Sequence, residues 1–138
     1  MNASVNTERV AQRLIDLRAR MPHLQLLVLF GSSVGGQPRA GSDVDLAVLC
    51  DGPADHEALY LAIAPCIGTD RLDLVDLRNA GPLLAFAVAR TGHLLFERTP
   101  GAFRQFQSLA ARRYCDTEKL RQARKRAIRV FLEREGLA

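Results

Sequence analysis

The chain of 138 residues is short of several things that would settle its class at once. It has three cysteines, Cys50, Cys66 and Cys115, odd in number, widely spaced and without a CxxC pair, so neither a disulfide framework nor a thiolate zinc site is expected. No long apolar run occurs. The longest, LLAFAVA at 83–89, is far too short to cross a bilayer, and the opening MNASVNTERV lacks the apolar core of a signal peptide. These absences predict a protein of the reducing cytoplasm with no membrane contact. There are no internal repeats, low-complexity segments or obvious interdomain linkers, and no interleaving of aromatic with basic residues of the kind single-strand binders use. Nucleic acid is therefore not expected as a direct substrate.

The composition is that of an ordinary globular chain, 48% hydrophobic and 25% charged, long enough for one domain with its own core. The net charge of +4 conceals an asymmetry. Residues 1–99 hold nine basic and eleven acidic side chains, whereas residues 100–138 hold ten and four. The basic character belongs to the tail, where it reads either as a solvated helix face or as a contact for an acidic partner.

Periodicity gives alternating helices and strands. Val10, Leu14, Leu17 and Met21 fall at helical spacing behind Thr7, a candidate N-cap. LQLLVLF at 24–30 and DVDLAVLC at 43–50 read as strands, and the segment from Pro53 to Cys66 as a helix capped by Asp55 or the preceding turn. DRLDLVDL at 70–77 is a third strand, the segment 81–92 a helix opened by Pro82 and closed by Gly92, and HLLFE a fourth strand. From Pro100 the pattern is helical, with a break expected near Cys115 and Asp116. The fold class is thus α/β (α+β), a small mixed sheet with helices on one face and a C-terminal helical tail. The expected division is a core of 1–98 and an extension of 99–138 packed on it as one domain.

Within this frame Asp43 and Asp45 open a strand otherwise made of apolar residues. Side chains alternate along a strand, so the two carboxylates share a face roughly 7 Å apart. Two such anions repel unless a cation joins them, and Asp73, in another apolar strand, supplies a third carboxylate if the strands are neighbours. Three carboxylates on strands suit Mg²⁺ shared with phosphates. A lone DxD is more often a pair of surface residues at a strand end. Gly31 and Ser32, however, follow the first strand directly, where backbone N–H groups and a small hydroxyl can meet a phosphate, and Gly35 and Gly36 keep the turn permissive. His23, His56 and His93 read as surface residues. Tyr60 reads as core, and Phe103, Phe106, Ala110 and Tyr114 as a packing stripe.

The pattern of GS, ten residues from Ser33 to Ser42, then DxD resembles the minimal nucleotidyltransferases of the polymerase-β-like superfamily. The likeness extends through LDLVDL, GPLLAFAVARTGHLLFE and the helical tail with RRYCDTEKLR, nearly the whole chain. It implies that Asp43, Asp45 and Asp73 bind two Mg²⁺, and that Gly31 and Ser32 contact the phosphates of ATP. Asp76 is the alternative to Asp73, on the opposite strand face. Many relatives carry Arg where this chain has Gly35, and Arg39, later in the same turn, is the candidate replacement. The resemblance further implies an antitoxin that transfers AMP to a tyrosine of a HEPN-domain RNase toxin. No Arg followed four to six residues later by His occurs in the tail, so this chain carries only the antitoxin half. Arg121, Arg124, Lys125 and Arg129 are candidates for the contact. A module that masks the toxin without catalysis and a nucleotidyltransferase acting on a small acceptor such as an aminoglycoside are the alternatives. The amphipathic tail is compatible with a homodimer or with a hetero-oligomer formed with the toxin.

Overall fold

The computed structural model describes residues 7–31 and 43–137, with side chains from residue 12. In chain order its elements are α1 (Thr7–Arg20), β1 (Leu24–Phe30), β2 (Val44–Cys50), α2 (His56–Ile67), β3 (Leu72–Asp76), α3 (Pro82–Thr91), β4 (His93–Glu97) and α4 (Ala102–Arg134). The expected Thr7 cap and the packing of Val10 lie outside the described side chains. Helix α2 starts as read: the Asp55 carboxylate accepts a hydrogen bond from the Ala58 N–H at 3.1 Å, satisfying a donor the helix itself leaves free.

The strands form one mixed sheet in the order β3-β2-β1-β4. β2 runs antiparallel to β1 and parallel to β3, and β4 runs antiparallel to β1. The two central strands are apolar at nearly every position, which means that both faces of the sheet must be covered. They are. Leu27, Leu29, Leu46 and Val48 pack with Leu14 and Leu17 of α1 and Leu59 and Ile63 of α2. Leu26, Val28 and Ala47 pack with Ala85 and Val88 of α3 and with Ala110 of α4. This corrects the expectation of helices on one face. An unbroken apolar run cannot leave one side to water, and the second pair of helices supplies the cover. A register shift in the β1–β4 pairing, between Leu27 and Val28, lets Phe96 face the α1/α2 side while Leu94 faces the other.

The expected break in α4 is also corrected. The helix is continuous for 33 residues through Cys115 and Asp116, about 50 Å long. Cys and Asp cost a helix only some tenths of a kcal/mol each, and local contacts offset this. Thr117 Oγ1 donates to the Tyr114 carbonyl at 2.8 Å, and the Arg121 guanidinium reaches the same carbonyl and lies 4.1 Å over the Tyr114 ring. Phe103, Phe106 and Ala110 seat the first turns against the sheet, and Tyr114 stacks on Phe86 of α3 at 4.1 Å, as the packing reading of that stripe requires. Beyond Tyr114 the helix is largely exposed. Tyr60 is half-buried, and its hydroxyl donates to the Asp70 carbonyl. Among the described residues no helix is long and apolar enough to cross a membrane.

Candidate active site

The end of β1, the start of β2 and the start of β3 lie side by side at one end of the sheet, because β1 and β2 are antiparallel while β2 and β3 are parallel. In that register Asp45 stands opposite Phe30 on one side and Asp73 on the other. Alternation then assigns the faces. Val44 and Leu46, with Leu72 and Leu74, point to the α1/α2 core, so Asp43, Asp45 and Asp73 share the opposite face.

Asp76 is on the α1/α2 side of β3 and is engaged locally. Its carboxylate accepts from the Arg78 N–H at 3.0 Å and from the Asn79 side-chain amide at 3.1 Å, closing the turn after the strand. Alternation thus separates the two candidates for third carboxylate, and only Asp73 is in register with Asp45.

Asp45 is half-buried between its neighbours, whereas Asp43 and Asp73 are exposed. Burial, then the charge of Asp73, then that of Asp43, raise the Asp45 carboxyl above its ordinary 3.8. An arrangement that makes a carboxylate harder to ionise is destabilising unless positive charge is brought to it. The donor set is all oxygen and anionic, which fits a hard cation such as Mg²⁺. Among the described residues no group of three or more His, Cys, Asp or Glu side chains is drawn together closely enough to hold a metal ion by itself. A cation here would complete its coordination with other oxygens, such as those of phosphates or water.

Gly31 completes the described part of the site. Its φ is +75°, and a Cβ built on it would lie 2.4 Å from Asp45 Oδ2. Glycine is required twice over, by the left-handed backbone and by the carboxylate against which the backbone rests. Ser32 and Arg39, the other expected phosphate contacts, lie outside the described residues, as do Gly35 and Gly36. Phe30 was not singled out by the sequence reading. It ends β1 half-buried on the Asp45 face, and the signal was its place one residue before Gly31. The histidines are peripheral: all three are exposed, and His23 Nδ1 pairs with Asp51 at 2.9 Å. Clefts between α1 and α2, lined by Arg13 and Cys66, and beside the start of α4, lined by Glu97 and Phe103, do not include Asp43, Asp45 or Asp73.

The family model for the polymerase-β nucleotidyltransferase domain matches residues 12–100. The chain belongs to the polymerase-β nucleotidyltransferase family. The span matched holds the whole sheet and all three carboxylates, so this member carries its family's domain on the elements that build the site. A protein adenylyltransferase MntA of Aphanizomenon flos-aquae is 32% identical over 137 residues, covering 89% of this chain and 90% of that protein. Among solved structures, a toxin–antitoxin complex with AMP-PNP contains a chain similar to this nucleotidyltransferase at a TM-score of 0.68 and 32% identity, covering 86% of this chain and 97% of that one. A tri-AMPylated HEPN toxin from Shewanella oneidensis in complex with its MNT antitoxin gives a TM-score of 0.65 at 30% identity, covering 89% and 98%. The mixed sheet with its flanking helices is thus the polymerase-β-like fold, and the resemblance carried by GS and DxD is borne out.

Proposed function

We propose that this nucleotidyltransferase moves AMP from ATP to a tyrosine hydroxyl of a HEPN-domain toxin and thereby neutralises it. One observation carries the reading. Asp45 and Asp73 are in register on adjacent strands, Asp43 shares their face, and Gly31 gives way to the Asp45 carboxylate. The adenylyltransferase relative and the AMP-PNP and AMPylated-toxin complexes support the choice of nucleotide and acceptor.

Asp43, Asp45 and Asp73 would hold Mg²⁺, two ions in the fullest form of the reading, which when bound offset the charge of the triphosphate and lower the pKa of an acceptor hydroxyl. The chain's own residues hold and orient the reactants. The left-handed turn at Gly31 brings backbone close beside Asp45 without a side chain in the way, leaving room for phosphate oxygens. Ser32 and Arg39 follow as phosphate contacts, the guanidinium of Arg39 standing in for the arginine that Gly35 replaces. Asp73, exposed on an edge strand, orients the incoming tyrosine. A bond forms between the tyrosine oxygen and the α-phosphorus as the hydroxyl proton passes to solvent, the bond to the bridging oxygen breaks, and pyrophosphate leaves with the electron pair. Residues 1–98 do the chemistry, and the extension of 99–138 packs on them. The setting is the cytoplasm, where ATP and a ribonuclease toxin meet.

The test is intact mass spectrometry of the HEPN-domain protein encoded beside this chain, after incubation with the chain, ATP and Mg²⁺. One or more added AMP masses that disappear with Asp43→Asn/Asp45→Asn are the expected result. An unchanged mass with the toxin's ribonuclease activity still suppressed would replace catalysis by stoichiometric masking.

A further inference from the structure

The distal half of α4 exposes more apolar surface than a solvated helix needs. Leu120 is 73% exposed, Ile128 53% and Phe131 59%. With Arg124 they fall at steps of four, four and three, a single stripe along the helix. The stripe continues the one that begins at Phe106 and Ala110, which the sheet covers. One face of one helix is thus buried at its base and bare along its projecting length.

Charge selects the occupant. Residues 119–134 hold seven basic side chains and one acidic, Glu133. A second copy laid along this helix would bring like charge against like, which costs several kcal/mol in general and argues against self-association. A lipid surface fits poorly as well, because an interfacial helix presents an uninterrupted apolar face, whereas Arg124 stands in the middle of this one. A guanidinium flanked by large apolar side chains is instead the composition of a protein–protein interface core.

We infer that the projecting half of α4 is the docking element for the protein acceptor, with Leu120, Ile128 and Phe131 seated in an apolar groove and Arg124 paired with a carboxylate inside it. This rests on the reading that the acceptor is a HEPN-domain protein, and it assigns that partner an acidic, grooved surface. The docking helix is anchored to α3 through the Phe86–Tyr114 stack and the hydrogen bond that the Gln107 side-chain amide donates to the Ala89 carbonyl at 3.0 Å. It is therefore held as a rigid arm, and the acceptor is fixed relative to the carboxylates.

The experiment measures binding and transfer separately, using the full-length chain and the HEPN-domain protein encoded beside it. Isothermal titration gives Kd, and intact mass gives the rate of AMP addition. Ile128→Ser/Phe131→Ser and Arg124→Glu are the stripe variants, and Gln122→Ala/Arg126→Ala, on the opposite side of the helix, is the control. Because all these side chains are exposed, circular dichroism should show an unaltered fold. Both stripe variants are expected to weaken binding roughly 30-fold or more and to raise KM for the toxin with kcat at saturation unchanged, while the control stays within threefold of wild type. Wild-type Kd and KM in the stripe variants would overturn the inference and leave the transferase reading intact. Stripe-dependent binding with no AMP added by the wild type would leave the docking helix standing and overturn the transferase reading. Wild-type chain that sediments as a dimer dissociated by the stripe variants, or that binds anionic vesicles through them, would also overturn it.

Discussion

Gly31→Ala offers the sharpest test of how the backbone serves the carboxylates. Two costs are separable. Holding alanine at a φ of +75° costs about 1–2 kcal/mol, whatever its surroundings. The new methyl would then lie 2.4 Å from Asp45 Oδ2 and 3.2 Å from Cγ, so the carboxylate must retreat by about 1 Å to reach ordinary contact. Asp45 is only half-buried and can rotate away, which places the second cost mainly in activity. A displacement of that size at a reacting centre is worth about 100-fold in rate. Gly31→Ala should therefore lower Tm by roughly 3–8 °C and kcat/KM for AMP transfer by about 100-fold. The two parts can be read apart in an Asp45→Ala background, where the oxygen is gone and only the backbone cost remains. A double-mutant cycle on Tm, with calorimetry without nucleotide and transfer followed by mass, gives the coupling directly. Transfer by Gly31→Ala within threefold of wild type would refute the claim that Asp45 dictates this glycine.

Asp45→Asn should abolish transfer yet stabilise the chain in EDTA at pH 7. The carboxyl is raised above 3.8 by burial and then by Asp73 and Asp43, so folding favours its protonated form. The stabilisation is full below the unfolded value and is lost as pH rises through the higher folded one; scans between pH 3.5 and 7 should show this decline in wild type and its reduction in Asp45→Asn. Asp73→Asn should reduce transfer at least 100-fold at unchanged Tm, whereas Asp76→Asn, which weakens the turn at Arg78 and Asn79, should lower Tm by a few degrees and keep transfer; reversed outcomes would exchange their roles. Arg98 donates to the carbonyls of Leu24, Arg18 and Met21 at 2.7–2.9 Å. Arg98→Ala should cost about 2–4 kcal/mol in urea unfolding and leave KM for ATP unaltered.

The element order was legible because the apolar runs are short and bounded by glycine, proline or a capping aspartate. Asp55 caps the start of α2 as the chemistry of capping says it should, and Gly92 ends α3 where expected, although in extended backbone where a Cβ would meet the Val88 carbonyl and Val28. The side of the sheet on which each helix packs was less legible, since a run such as LQLLVLF announces that both faces are buried without saying which helix covers which. The continuity of α4 was hidden for a different reason. Cys115 and Asp116 are weak helix formers, and the contacts that carry the helix past them, from Thr117 and Arg121 to Tyr114, arise only once the helix exists. Alternation placed Asp43 and Asp45 on one face, and the resemblance carried by GS and DxD singled them out along with Asp73, leaving Asp76 as its alternative. That Asp45 faces Asp73 across the ladder depends on register, and register is set by the parallel pairing of β2 with β3, which no local pattern contains.

Strand β3 is the outermost of the sheet, with no neighbour beyond it among the described residues. Asp45 therefore has a strand on either hand, while Asp73 has one on its inner side only. On the proposed reading the site has a back wall and an open doorway: a nucleotide would settle toward the interior of the sheet, and a protein acceptor would present its hydroxyl from the side where the sheet stops. An active centre built on the rim of its sheet can serve an acceptor as large as itself without having to open first.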